Sequence, residues 1–302
     1  MMGRLLALAV LAATPAHAQF SALPEEARAA IARIGPAMGP EAVAATGAAL
    51  APVIPAPGVA ALRDLRYGED PRHRLDVFTP GAGARPVLVF VHGGGFVGGD
   101  KTRPGVHYYD NIAAWAARQG WVGVNITYRL APQHPFPAAR EDVAAAIAWL
   151  RAHIAAHGGD PARIILMGQS AGAAHVADYL ASRAEAPGVA AGALVSGVYD
   201  VARYPRAATT RAYYGEDEAL LAARSALPGL ARLSIPLLIA RAGSEPEPFR
   251  AQAALLSDAL CAARTPCPAI LELDGHNHFS TVFAIGSADR ALTDALLGLL
   301  PR

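Results

Sequence analysis

The run Ile164-Ile165-Leu166-Met167-Gly168-Gln169-Ser170-Ala171-Gly172-Ala173-Ala174 constrains this chain more than any other stretch. Its first four residues are apolar and two are β-branched, which predicts a buried strand. The strand breaks at Gly168, presents Ser170 on a turn, and resumes after Gly172 as an alanine-rich segment that predicts a helix. G-Q-S-A-G has the G-x-S-x-G spacing of a nucleophile elbow, in the strand-to-helix context that motif requires. Glycines two before and two after the serine let strand and helix pass closely while the serine itself is strained. A serine so placed needs a base, an acid, an oxyanion hole and a pocket.

Val87 to Val91 predicts a second buried strand, and it runs into His92-Gly93-Gly94-Gly95-Phe96. Successive glycines after a strand can turn backbone N–H groups into a cavity, which is what stabilising a tetrahedral oxyanion demands. The expected donors are the N–H groups of Gly94, Gly95 and Ala171. His92 is read as a brace of this loop rather than as the base. Behind a nucleophile elbow the triad runs Ser, then Asp or Glu, then His, so the base is sought late in the chain. Leu273-Asp274-Gly275-His276-Asn277-His278-Phe279-Ser280 offers two histidines. His278 is preferred to His276, because Phe279 can anchor its backbone. For the acid, Ala242-Gly243-Ser244-Glu245-Pro246-Glu247-Pro248-Phe249 offers two glutamates. Glu245 lies nearer the strand end and is preferred to Glu247, with Asp274 third. Such a carboxylate holds the imidazole tautomer and stabilises the imidazolium.

Eight strands are predicted, at 64–67, 74–78, 86–91, 122–127, 163–167, 191–195, 236–240 and 269–273. The first two form a hairpin through Gly68-Glu69-Asp70-Pro71. Helices are predicted at 109–117, 138–156, 171–183, 248–262 and 288–299. From the third strand onward a helix-sized segment separates each pair, so the class is α/β with a mostly parallel, doubly wound sheet. Residues 19–62, cut by prolines into a helix to about Ile34 and another near 41–49, read as an N-terminal helical cap. Its Ile31, Ile34 and Met38 are expected to face the pocket. Residues 63–302 read as one catalytic domain, and 197–235 have room for a helix or two but not for a long lid.

At 302 residues and 53% hydrophobic content one α/β domain suffices. A net charge of +1 with no basic run argues against nucleic acid as a partner. Residues 1–18 read as a secretory signal peptide: Arg4, an apolar run Leu5 to Ala13, and Ala16-His17-Ala18 before Gln19. The expected location is periplasmic or secreted, with no stable membrane insertion. In that compartment Cys261 and Cys267 are expected to be bonded, closing a ring whose entropy contributes roughly 2 kcal/mol. Neither cysteine has a histidine or second pair at ligand spacing, so no metal is expected.

Tyr128-Arg129-Leu130-Ala131-Pro132-Gln133-His134-Pro135-Phe136-Pro137-Ala138-Ala139 resembles the Y-R-L-A-P-E-H-P-F-P-A-A signature of the hormone-sensitive-lipase family of α/β-hydrolases. Glu141-Asp142-Val143 and Trp149-Leu150 continue it, and with H-G-G-G-F and G-Q-S-A-G the resemblance covers about residues 64–200. The C-terminal third is more similar to the acetylesterase and arylformamidase branch, with an acidic residue four before a phenylalanine and an H-F ending. That alignment also selects Glu245 and His278. The resemblance implies an α/β-hydrolase fold, with an eight-stranded sheet whose second strand is antiparallel. It also implies acyl-enzyme chemistry on a small-molecule ester, with no metal or organic cofactor. The leading expectation is an exported serine carboxylesterase. The alternatives are an amidase of arylformamidase type and a catalytically inert α/β-hydrolase used for binding.

Overall fold

The computed structural model describes residues 20–264 and 267–300, so the expected signal segment 1–18 lies outside the described residues. Among the described residues the first two helical elements are α1 (Glu25–Ile34) and α2 (Pro40–Leu50). Proline sets where each begins: Pro24 is the N-cap residue of α1, and Pro40 opens α2, where a missing N–H costs nothing. Glu25 and Glu26 in the first turn of α1 complement the positive end of its dipole. There follow β1 (Ala60–Arg66), β2 (Arg74–Thr79), β3 (Arg85–Val91), α3 (Asp110–Arg118), β4 (Val122–Ile126), α4 (Ala138–His153), β5 (Gly159–Gln169), α5 (Ala171–Ser182) and β6 (Ala191–Val195). Then come α6 (Ala208–Tyr214), α7 (Glu218–Leu221), α8 (Leu227–Leu230), β7 (Leu237–Ser244), α9 (Glu247–Ala263), β8 (Ile270–Asn277), α10 (Ser280–Phe283) and α11 (Ala291–Leu297).

The strands form one sheet in the order β1-β2-β4-β3-β5-β6-β7-β8. β2 is antiparallel to both neighbours, and every other pair is parallel. The period of two along β3 decides the layering. Val87, Val89 and Val91 join one core with Val143, Ile147 and Leu150 of α4 and Val176 and Leu180 of α5. Leu88 and Phe90 point the other way, into a core with Ile31, Leu50, Ile112, Trp115 and Leu296. A strand buried on both faces is what a run of Val, Leu and Phe between two helix layers must become.

Several boundaries differ from the sequence reading for identifiable reasons. β5 begins at Gly159, because Arg85 pairs with Gly159 ahead of a register shift. β7 and β8 each run four residues past their predicted ends, and their last pairing is Ser244 with Asn277. The last helix shrinks to α11, whose start is fixed by the Asp289 carboxylate accepting from Ala291 N (2.9 Å). Residues 197–235 hold three short helices and a 3-10 turn at Val201–Arg203, without a long lid. Of the three residues expected to face the pocket, Ile31 instead lies in the sheet-side core, and only Met38 reaches the cavity. The reason is the packing of α1, which turns its apolar face down onto the sheet. Cys261 and Cys267 are joined by a disulfide that ties the end of α9 to the approach to β8.

His175 of α5 is enclosed by the rings of Tyr128, Tyr213 and Phe96 at 4.7, 4.9 and 5.5 Å. Neither ring nitrogen has a hydrogen-bond partner among the described residues. Burial pushes its pKa down from 6.5 to about 3. The unfolded chain therefore takes up this proton first, and stability present above 6.5 is lost as pH falls towards 3. Replacing His175 by Phe should remove that contribution while filling the aromatic box. Urea titrations at pH 8 and pH 5 should show the acid-side loss of stability reduced by about 2 kcal/mol in His175→Phe. An unchanged loss would mean that other groups carry the acid sensitivity.

Candidate active site

Ser170 sits between β5 and α5 with φ 57° and ψ −125°. A side-chain-bearing residue in that region costs on the order of 1–3 kcal/mol, and surrounding contacts must hold it there. Its N–H donates to Val195 O (3.0 Å), and its own carbonyl accepts from Ala174 N (3.1 Å). A Cβ on Gly168 would run into the backbone of Gly172, and one on Gly172 into the carbonyls of Val91 and His92. Only glycine admits that approach, which seats the turn directly on the end of β3.

The glycine loop continues from that same strand end. Gly94 and Gly95 take φ of 139° and 60°, and a Cβ on Gly94 would collide with the carbonyl of Gly98. The loop closes on itself as Gly98 N donates to Gly94 O (3.0 Å). His92 is fully buried, and its Nδ1 donates to Gly93 O (2.7 Å). Its ring stacks on Tyr128 (4.4 Å), whose hydroxyl donates to His92 O (2.7 Å). Burial pushes the His92 pKa down to about 4, so near neutral pH this imidazole is an uncharged brace.

Sequence reading missed what holds the loop from behind. Lys101, the only lysine of the chain, is buried and pairs with Asp64 (2.7 Å) and Asp76 (3.1 Å). Arg63 completes the cluster against Asp76 (2.9 Å) and Asp110 (2.7 Å). Arg72 donates to Tyr128 O (2.6 Å) and Gly99 O (2.9 Å). The single lysine next to the glycine loop was the available signal; its partners on β1 and β2 carried none.

Across the site, the Ser244–Asn277 pairing puts the next residue of each strand side by side. Glu245 Oε2 accepts from His278 Nδ1 (3.2 Å), and both side chains have no exposed surface. His278 Nε2 is buried with no hydrogen-bond partner among the described residues. The competing candidates are engaged otherwise. His276 spans Ser280 Oγ (3.0 Å) and Asp289 Oδ2 (2.8 Å). Glu247 points outward at 80% exposure, 3.8 Å from Arg250. Asp274 is half-buried beside Gly243. Gln169, the residue before Ser170, donates through Nε2 to His278 O (3.0 Å) and so links elbow to histidine turn.

Ser170, Ala171, Gly94 and Gly95 line one cavity of about 730 Å³. Its walls are largely apolar. Met38 comes from the connection between α1 and α2, Val43 from α2, Thr209 and Tyr204 from residues 197–235, and Phe249 and Phe279 from beside the histidine turn. Among the described residues no cluster of three or more His, Cys, Asp or Glu side chains is arranged to hold a metal ion. No helix among them is long and apolar enough to cross a membrane.

Residues 88–276 match the family described as alpha/beta hydrolase fold. Esterase LipC of Mycobacterium tuberculosis is 43% identical over 114 residues, which is 36% of this chain and 27% of that protein. Tuliposide A-converting enzyme b1 of Tulipa gesneriana is 40% identical over 118 residues, 36% of this chain and 31% of the enzyme. The matched stretch thus spans less than a third of either relative. Among solved structures, the esterase of the archaeon Pyrobaculum calidifontis superposes with a TM-score of 0.64 at 24% identity, covering 85% of this chain and 90% of that one. The carboxylesterase EstE1 from a metagenomic library gives 0.64 at 23% identity, covering 96% and 99%. At such identities these two share the fold alone. With its matched family region, elbow and sheet order, the chain belongs to the α/β-hydrolase fold family, in its hormone-sensitive-lipase-like group.

Proposed function

We propose that this protein is a serine carboxylesterase acting on short-chain esters through Ser170, His278 and Glu245. The observation that carries the reading is the buried contact of Glu245 Oε2 with His278 Nδ1 (3.2 Å), beside a cavity lined by the strained Ser170. The names of the sequence relatives, an esterase among them, support the same reaction class.

In this reading Ser170 Oγ attacks the ester carbonyl carbon while its proton passes to His278 Nε2, opposite the nitrogen that Glu245 holds. Glu245 stabilises the imidazolium without itself taking the proton. The carbonyl oxygen becomes an oxyanion facing the N–H groups of Gly94, Gly95 and Ala171. Donors already fixed in place spend no reorganisation at that moment. Collapse breaks the ester C–O bond, and the imidazolium returns its proton to the departing alkoxide. Water then attacks the acyl-enzyme with His278 again as base, releasing the acid and regenerating Ser170.

Ser170→Ala should lower kcat on p-nitrophenyl acetate by roughly 10⁴–10⁶ without altering the melting curve. Glu245→Gln should also cost orders of magnitude, whereas Glu247→Gln, on an exposed side chain, should leave turnover near wild type. The reverse pattern for the two glutamates would move the acid to Glu247.

Acyl length follows from the walls. Each methylene buried contributes about 0.8 kcal/mol until the cavity is full, after which longer chains protrude or clash. With residues 197–235 folded as short helices and no long lid, kcat/KM across p-nitrophenyl esters should peak at about C2 to C6 and fall clearly by C12. Rates still climbing at C12, or a jump at a lipid interface, would indicate an open groove instead.

The export proposal rests on the sequence of residues 1–18 and is supported by the Cys261–Cys267 disulfide. N-terminal sequencing of protein from the native host's periplasm or medium should begin at Gln19. Recovery only from the cytosol, with residues 1–18 attached, would refute it.

A further inference from the structure

We infer that Thr46 and Asn277 are positioning residues for His278, so that the N-terminal helix α2 acts on the base of the reaction and not only on the cavity wall. The inference rests on the role proposed for His278. Asn277 is the last residue of β8, immediately before His278, and is fully buried. Its Oδ1 accepts from Phe279 N (3.1 Å) and Ser280 N (2.9 Å), which folds the turn around His278. Its Nδ2 donates to Thr46 Oγ1 (3.0 Å), a residue 231 positions earlier and equally buried. One amide therefore shapes the turn at one end and anchors it to α2 at the other.

A second contact fixes the same helix beside the same turn. A Cβ on Gly47 would press into the ring of Tyr108, so glycine there lets that ring lie on α2. Tyr108 in turn stacks on Phe283 of α10 at 4.0 Å and 7°. On the far side, the carbonyl of His278 accepts from Gln169 Nε2 and Thr281 Oγ1, both at 3.0 Å. The turn is held from two directions, and the Asn277 side chain supplies a hydrogen bond that joins it to the N-terminal segment. Neither Thr46 nor Asn277 lines the cavity. A change at Thr46 thus reaches the chemistry through the orientation of His278.

Removing the Thr46 hydroxyl leaves a buried amide N–H without its acceptor, which is unfavourable enough to drive the amide to a new position. Rotating it withdraws Oδ1 from Phe279 N and Ser280 N, and the turn loses the shape that aims the imidazole. Proton transfer tolerates little misplacement.

The test compares Thr46→Val, which keeps the shape and loses the hydroxyl, with Thr46→Ser, which keeps the hydroxyl. Thr46→Val should lower kcat on p-nitrophenyl acetate about tenfold with KM within about twofold and the acyl-length profile unchanged, while Thr46→Ser stays within about twofold of wild type. Independently of turnover, the downfield proton resonance of His278 Nδ1–H should be kept in wild type and Thr46→Ser and broadened by solvent exchange in Thr46→Val. Equal kcat and resonance in both variants, or a change in KM and chain-length profile alone, would overturn the inference. If Thr46→Val does not fold, Thr46→Ala serves in its place. A wild type that turns over no ester would refute the proposed function, while the resonance comparison would still decide this coupling.

Discussion

The site depends on one close approach: the backbone of Gly172 lying against the carbonyls of Val91 and His92. Parallel pairing of β3 with β5 puts Val91 beside Gly168, so the glycine loop and the elbow leave the sheet at neighbouring points. Parallel strands send their carboxyl ends to one edge, and ligand sites of such sheets form there. The glycine contact then turns proximity into register, placing Gly94, Gly95 and Ala171 around the same cavity as Ser170. A methyl group at position 172 would push the two apart and dissolve this arrangement.

Polar groups taken out of water keep the site in shape. The Glu245–His278 contact, the Lys101–Asp76 pair and the neutral His92 are buried, while Asp64 and Arg63 close the Lys101 cluster from its exposed side. Buried ion pairs add little net stability, because desolvation offsets their attraction. What they contribute here is orientation: each fixes a loop that the hydrophobic core alone would leave undetermined. Gln252 works the same way on the loop after β6, accepting from Tyr199 N and Asp200 N at 2.7 Å and donating to Asp200 O.

Much of this was legible in the chain itself. The eight strands were recognisable because apolar runs such as Val87–Val91 and Ile164–Met167 carry their periodicity locally. Ser170 and the glycine loop announce themselves by spacing. The Glu245–His278 contact was harder to see, since two glutamates and two histidines compete within three residues of each other. What separates them is the Ser244–Asn277 pairing, a property of two strands and not of either segment. Thr46, Gln252 and the partners of Lys101 gave no sign, because their roles come from residues tens to hundreds of positions away. The expectation for Ile31 erred because amphipathicity reveals that a helix has an apolar face but not which surface receives it.

The N-terminal helices both fill the core and wall the cavity, and this governs how the cavity can adapt. Swinging α2 outward would expose Leu50 and part the Asn277–Thr46 hydrogen bond, so a hinged opening is opposed by the packing of the whole layer. Side chains at the rim are less tightly packed. Met38, 43% exposed on the cavity wall, is unbranched, with several rotatable bonds and a polarisable sulfur. Accommodation of differently shaped guests then falls to rotamer changes within picoseconds to nanoseconds, far faster than the microseconds of a moving domain.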